Sequence, residues 1–531
     1  MKQTLLTIAL MLLPMLANAD VVTFVNINNI YYNLDTEAKT AEVTYNNNNT
    51  LKYSGSVSIP EIIENGGTEY RVTSIGENAF IGCFNLTSVT IPNGVTSIGK
   101  NAFNGCLSLN SVNIPDGVTF LGHQAFSECG RLTSIVIPNS VTTIESYAFY
   151  SCSGLTSITI SDNLTSIEEF TFYNCSKLTS VTIPNSVTEI GLKAFSGCSG
   201  LTSVTIGNSV TSIGNDAFSS CSGLTSIIIP NSVTSIGEFA FSYCGLTSAT
   251  IGNGVTSIGN YAFCYCRSLP SISIPSSVTE IGWSVFSGCD ELASINVEEG
   301  NAKYDSRDNC NAIINKRNNT LIAGCKGTKI PNSVTAIGYN AFSMCSGLTL
   351  IAIPNSVTSI DSYAFKGCSG LTSIVIPNSV TEIGWESFIN CSSVTSVIIG
   401  SGIKTIGNSA FASCTALADV LCYAEAVPTT ESNAFESSNI ANATLHVPEG
   451  AVEAYQAAEP WKNFKEIVAL KGGTETDEGD ANGDGEIDVA DIDFVIEHIG
   501  EPIDDTNRAS DVNGDGEINV ADVDYIIERI K

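Results

Sequence analysis

One phrase of apolar and polar positions recurs along most of the chain. In LTSVTIGNSVTSIGNDAFSSCSG, residues 201–223, the apolar positions are Leu201, Val204, Ile206, Val210, Ile213, Ala217, Phe218 and Cys221. Val204 and Ile206 alternate with Ser203 and Thr205, the period of a strand. Val210 and Ile213 mark a second extended stretch after the Gly207-Asn208 turn. Gly214 ends it, and the Ala-Phe-x-x-Cys segment predicts a single helical turn. The phenylalanine of the phrase falls at Phe80, Phe103, Phe126, Phe149, Phe172, Phe195, Phe218 and Phe241, always 23 apart, and then at Phe263 and Phe286. It resumes at Phe342, Phe365, Phe388 and Phe411, with a degenerate copy at Phe435. A fixed period of this length predicts a solenoid, because one unit cannot bury its own apolar face and must stack on its neighbours. At a strand spacing of about 4.8 Å per coil, residues 72–440 hold about 16 coils.

The rhythm breaks over residues 290–330. The run YDSRDNCNAIINKRNNTLIAGCKGT has strand–turn–strand character with Asn318-Asn319 at the turn. We read it as a hairpin-bearing variant repeat within a solenoid of residues 72–414. Residues 20–71 are rich in strand formers around an Asn46–Asn49 loop and read as an N-terminal cap. Residues 415–470, with Pro448 and Trp461, read as the C-terminal cap. A solenoid needs both because its end coils would otherwise expose core.

This phrase resembles the BspA-like leucine-rich repeat, whose pattern is roughly LxxLxIPxxVxxIGxxAFxxC. The resemblance covers nearly 400 residues. It implies a curved parallel-sheet solenoid, exported by a bacterium and used to bind other proteins or host surfaces. It implies no catalytic residue.

Composition agrees with a binding role and removes several others. The 531 residues carry 54 acidic and 23 basic side chains, a formal charge of −31. Non-specific nucleic-acid binding needs a basic surface and is disfavoured. The three histidines, His123, His446 and His498, lie far apart in sequence, so neither a histidine-rich metal site nor a His-paired nucleophile is expected. No phosphate loop is present either, and the protein is not expected to be an enzyme. At the N-terminus, Lys2, an apolar run from Leu5 to Leu16 and Ala17-Asn18-Ala19 form the three-part pattern of a secretory signal peptide over residues 1–19. About 12 apolar residues are too few to span a bilayer, which needs roughly 20. The mature chain is expected to be secreted, extracellular or at the cell surface.

Cysteine is abundant, at 18 residues. Fourteen sit three positions after a repeat phenylalanine, from Cys83 to Cys414. One cysteine per coil, in a slot like the other apolar slots, reads as packed free thiol. Stacked slots about 4.8 Å apart nevertheless lie within the Cα range of a disulfide. For Cys264, Cys310, Cys325 and Cys422, outside the ladder, the sequence leaves both states open.

After Leu470 the character changes. Residues 471–479 are a polar, acidic linker, and residues 471–531 hold 19 acidic and 4 basic side chains. DANGDGEIDVADIDFVIEHI from Asp480 and DVNGDGEINVADVDYIIERI from Asp511 lie 31 residues apart and agree at 14 of 20 positions. Each opens with the D-x-N-x-D-G start of a calcium loop. In the first, Asp480, Asn482 and Asp484 supply side-chain oxygens, Glu486 its carbonyl, Asp488 a ligand through water, and Asp491 closes the site. In the second the equivalents are Asp511, Asn513, Asp515, Glu517, Asn519 and Asp522. This spacing wraps hard oxygens around one point, as calcium requires, so two Ca²⁺ ions are expected. No helix can precede the first loop, but Ile492, Val495, Ile496 and Ile499 have helical spacing after it. Loop–helix, linker, loop–helix over residues 480–531 resembles a type I dockerin, a small α-helical domain that attaches secreted proteins to cohesin modules. The resemblance places partner recognition at Val489, Ala490, Ile496 and Glu497, and at Val520, Ala521, Ile527 and Glu528. These differ from the Ser-Thr and basic pairs of many cellulosomal dockerins.

Two roles follow. In the first, the solenoid mediates adhesion or protein–protein interaction, with a host or matrix protein or a glycan as ligand, while the tail docks to a cohesin-like partner. In the second, the chain is a structural or substrate-targeting subunit of a dockerin-assembled, polysaccharide-degrading extracellular complex. The strand face is a monotonous run of Ser and Thr. The positions flanking each Ala-Phe vary more, and two aromatic patches are expected there: Tyr147, Tyr150, Phe170 and Tyr173, and Phe239 through Trp283. Within the second, Tyr243, Tyr261, Tyr265 and Trp283 are the candidate ligand-binding residues, with packing over the adjacent turn as the competing role.

Overall fold

The computed structural model describes residues 21–45, 52–470, 481, 489–498, 503, 507–518, 522–523 and 525–526. The signal segment, Asn46–Asn49 and the 471–479 linker lie outside the described residues. The chain divides into two units, residues 1–178 and 179–531. Each is a β-solenoid.

In the first unit, Val21–Ile27, Ile30–Asp35 and Thr40–Thr44 form an antiparallel meander. Thr40–Thr44 then pairs in parallel with Thr68–Ile75, which pairs in parallel with Ser97–Ile98 of the next coil. The meander therefore supplies the first coil with a hydrogen-bonded neighbour. Tyr53 closes the core at this end. Its ring lies 4.8 Å from Phe80, and its hydroxyl accepts from the Tyr31 amide and donates to the Thr44 carbonyl.

Each regular coil of the second unit has three hydrogen-bonded lines. Ser180–Thr182 pairs with Ser203–Thr205, and Glu189–Ile190 with Ser212–Ile213, both in parallel. The third line runs along the Ala-Phe corner, where Asp216, Phe218 and Ser220 amides donate to the carbonyls of Glu238, Ala240 and Ser242 at 2.8, 2.8 and 2.7 Å. The expected helical turn takes the form of successive three-residue turns. The Ala217, Ser219 and Cys221 amides bond back to Gly214, Asp216 and Phe218. Asp216 at φ 53° and Ser220 at φ 61° interrupt them, so the coil turns its corner within six residues.

The core is a file of identical side chains. Phe195, Phe218 and Phe241 stack in near-parallel planes with centroids 5.3 and 5.4 Å apart. That step is close to the strand spacing, and a centroid distance beyond ring contact means the faces are offset, which relieves quadrupole repulsion. A second file runs from Phe342 through Phe365, Phe388 and Phe411 to Phe435. It ends against Trp461, fully buried and edge-on at 5.3 Å, whose indole donates to Thr430 Oγ1.

The variant segment interrupts the two-residue strand line. Tyr304–Asp305, Ile313–Asn315 and Thr320–Ala323 pair antiparallel, and Thr320–Ala323 then pairs in parallel with Ala336–Ile337 of the next regular coil. Asn319, at φ 51°, sits in the hairpin turn. The hairpin thus presents a fresh parallel edge on which the repeat resumes.

All 18 cysteines are buried free thiols. Ladder thiols donate to the phenylalanine carbonyl of the preceding coil: Cys129 to Phe103 at 3.3 Å, Cys244 to Phe218 at 3.2 Å and Cys391 to Phe365 at 3.3 Å.

Candidate functional site

The second of the two loops expected to hold calcium is described over most of its length. Gly514 and Gly516 take φ of 72° and 91°, values reserved for glycine-like turns, and fold the chain back on itself. The Gly516 amide donates to Asp511 Oδ2 at 3.1 Å, the Asp515 amide to Asn513 Oδ1 at 2.8 Å, and the Glu517 amide to Asp515 Oδ1 at 2.9 Å. Asp522 Oδ1 accepts from the Asn513 amide at 3.2 Å, which ties the closing position to the third. Asp522 is fully buried, and Asp511 Oδ1 is buried without a hydrogen-bond partner. An orphaned, buried carboxylate oxygen is costly unless a cation meets it. A loop of Asp, Asn and Asp oxygens with that orphan fits Ca²⁺. Among the described residues, no three His, Cys, Asp or Glu side chains gather as a metal-holding group; the fit rests on Asp511 and its loop.

Of the first loop, Asp491 is described and fully buried. Asp480, Asn482, Asp484, Glu486 and Asp488 lie outside the described residues, as does Asn519. Val489, Ala490, Ile496 and Glu497 fall on the helix Val489–His498. Their side chains, and Val520, Ala521, Ile527 and Glu528, lie outside the described part. The helix buries Ile492 and Val495, two of the positions whose spacing predicts it.

The aromatic residues flanking Ala-Phe come together as the coil register requires. In the first unit, Tyr147 stacks on Phe170 at 4.6 Å and Tyr150 on Tyr173 at 5.0 Å. All four rings are half-buried. In the second unit, Phe239 stacks on Tyr261 and Tyr243 on Tyr265, each at 4.6 Å, and Trp283 stands edge-on to Tyr261 at 4.6 Å. The four candidate residues divide. Tyr243 and Trp283 are exposed, at 51% and 40%. Tyr261 and Tyr265 are half-buried, and Tyr265 lies against Gly288, where a Cβ would sit 2.4 Å from its ring.

The patch expected from the sequence ends at Trp283, but the rings continue past the hairpin. Trp283 meets Tyr339 at 6.0 Å, and Tyr339 meets Tyr363 at 5.4 Å. The Lys366 ammonium lies 4.8 Å above the Tyr363 ring. Trp385, one coil further, is 63% exposed. A groove of about 880 Å³ opens beside these rings, with Asp361, Glu382 and Glu431 among its lining residues. The signal was in the sequence: Trp283, Tyr339 and Trp385 all sit three positions before a repeat phenylalanine. Large rigid rings with few torsions, next to carboxylates, suit recognition of a partner surface. Among the described residues, no helix is long and apolar enough to cross a membrane.

Comparison with known proteins agrees with these features. The model of the BspA type leucine rich repeat region matches residues 73–202, 188–313 and 323–451, and that of the dockerin type I domain matches residues 478–531. Among solved structures, a leucine-rich repeat protein from Bacteroides ovatus is similar at 28% identity, covering 75% of this chain and 94% of its own, with a TM-score of 0.50. A leucine rich cell surface protein from Faecalibacterium prausnitzii is 26% identical over 85% of this chain and 96% of its own, with a TM-score of 0.35. No curated protein matches the chain. Both matched modules are non-catalytic binding modules typical of extracellular or surface proteins of bacteria, and dockerin type I domains bind calcium and pair with cohesins.

Proposed function

We propose that this chain, which belongs to the BspA-type leucine-rich repeat family, is an exported adhesion protein without catalytic activity. Its solenoid holds a protein ligand along the aromatic edge of the second unit, and its tail, loaded with two Ca²⁺ ions, attaches it to a cohesin-like module. The observation that carries the ligand role is the line of rings from Phe239 to Tyr363, with Trp283 and Tyr339 exposed beside a groove bearing carboxylates. A soluble chain has little reason to leave rigid aromatic surface in water along successive coils unless a partner covers it. The calcium role is supported by the orphaned Asp511 Oδ1 in the second loop, and export by the Lys2, Leu5–Leu16 and Ala17-Asn18-Ala19 pattern.

The test is a binding screen of the mature chain against immobilised matrix proteins and glycans. It is repeated with the tail removed and with Tyr243, Tyr261, Tyr265 and Trp283 changed together to Ser. An adhesin keeps its ligand without the tail and loses it with the aromatic changes. Loss of every interaction on removing the tail would instead make the chain a subunit of a dockerin-assembled complex. Full binding by the aromatic variant would move the ligand to the Ser/Thr strand face.

A further inference from the structure

The longer strand of each coil has two outward-pointing slots. In Ser180–Thr182 and Ser203–Thr205 they hold Ser and Thr, and all four side chains are exposed. Near the end of the repeats the second slot turns apolar in four successive coils: Ala352, Val375, Ile398 and Leu421. Val375, Ile398 and Leu421 stand in register on neighbouring strands. In earlier coils Val136 and Ile228 hold this slot singly and are exposed, at 61% and 70%. Here the strands Ser373–Ile376 and Ser396–Ile399 are buried at every position, inward and outward alike.

The tail is what covers them. Val375, Ile398 and Leu421 belong to one buried cluster with Ala481, Ile492, Val495, Ile518, Val523 and Ile526, and Ala352, Phe494 and Val512 pack at its margin. The tail residues come in pairs 31 positions apart: Ile492 with Val523, and Val495 with Ile526. Both halves of the tail therefore contribute equivalent side chains to the same cluster. So small a domain buries little core alone, and the three coil residues enlarge it. The seat is not free of cost: the Ser373 and Ser396 hydroxyls are buried without a partner. Apolar contact across three coils has to outweigh them.

We propose that the outward run Val375–Ile398–Leu421 is a built-in seat for the chain's own calcium-binding tail. The tail is carried as part of the last coils, not on a free tether.

The experiment uses the full mature chain with calcium. Val375, Ile398 and Leu421 are changed together to Thr, the residue regular coils already carry in this slot, so the solenoid keeps its fold; Ile398→Thr alone serves as a milder variant, with melting checked for each. Ile228→Thr is the control. A glutamate-specific protease is directed at Glu475 and Glu478, and the radius of gyration is measured by small-angle scattering. The triple variant is expected to be cut in this segment at least tenfold faster than the unchanged chain and to be more expanded, with Ile398→Thr intermediate and Ile228→Thr unchanged. Equal cleavage rates and equal radii for the unchanged chain and a folded triple variant would overturn the seat.

Discussion

The thiol of Cys221 donates to the carbonyl of Phe195 in the preceding coil, 3.3 Å away. That carbonyl also accepts from the Cys198 amide of its own coil, at 3.2 Å. The cysteine slot is thus both a small apolar plug and a hydrogen-bond donor. Alanine would leave a void and remove the second bond, so Cys221→Ala is expected to cost about 1–3 kcal/mol. Chemical denaturation of the full chain measures this, and a change below about 0.5 kcal/mol would reduce the slot to filler.

Because the sulfurs are buried free thiols, a thiol reagent should label the native chain slowly. All 18 should titrate once it is unfolded without reductant. A substantial blocked fraction after unfolding would mean that the ladder is oxidised.

Burial raises the thiols of Cys152 and Cys244 from 9.0 to about 12. The unfolded chain gives up these protons first. The thiols therefore contribute their full stability below about pH 8.5, and that contribution is lost as pH rises towards 12. The melting temperature should fall steadily from about pH 9 upward, and less steeply in a Cys152→Ala, Cys244→Ala double variant. A slope identical in the two proteins would assign the alkaline loss to other groups.

Removing the orphaned carboxylate at Asp511 should delete one calcium site. Asp511→Ala is expected to lower the calcium stoichiometry of the full chain from two to one by calorimetry. In the unchanged chain, calcium at one hundred times its dissociation constant should stabilise the tail by about 2.7 kcal/mol per site. An unchanged stoichiometry would remove Asp511 from the ligand set.

The exposed and half-buried aromatics should separate when changed singly. Trp385→Ser, at a 63% exposed position, should shift stability by less than about 0.5 kcal/mol. Tyr261→Ser, which removes a ring held between Phe239 and Trp283, should cost about 1–3 kcal/mol. Thermal melts of the two variants decide this, and equal losses would put Trp385 in the core.

The coil is legible in the order of residues alone. Period 23 with alternating Val204 and Ile206 says which side chains point inward, because strand geometry leaves only two faces. The turn of the second acidic loop was legible as well, because Gly514 and Gly516 set it locally, at φ 72° and 91°. The sequence predicted two aromatic patches, because stacked coils bring equivalent positions together. What it did not determine was which outward positions stay in water. Ile228 and Ile398 occupy the same slot of the same phrase, yet one is 70% exposed and the other fully buried. Periodicity fixes direction relative to the coil's own core; cover depends on a segment some hundred residues away, whose Ile492 and Val523 share a buried cluster with Ile398. The continuation from Trp283 to Tyr339 was hidden for a related reason. The hairpin separates them by more than two periods in sequence, and only the parallel pairing of Thr320–Ala323 with Ala336–Ile337 restores the register that brings their rings within 6.0 Å.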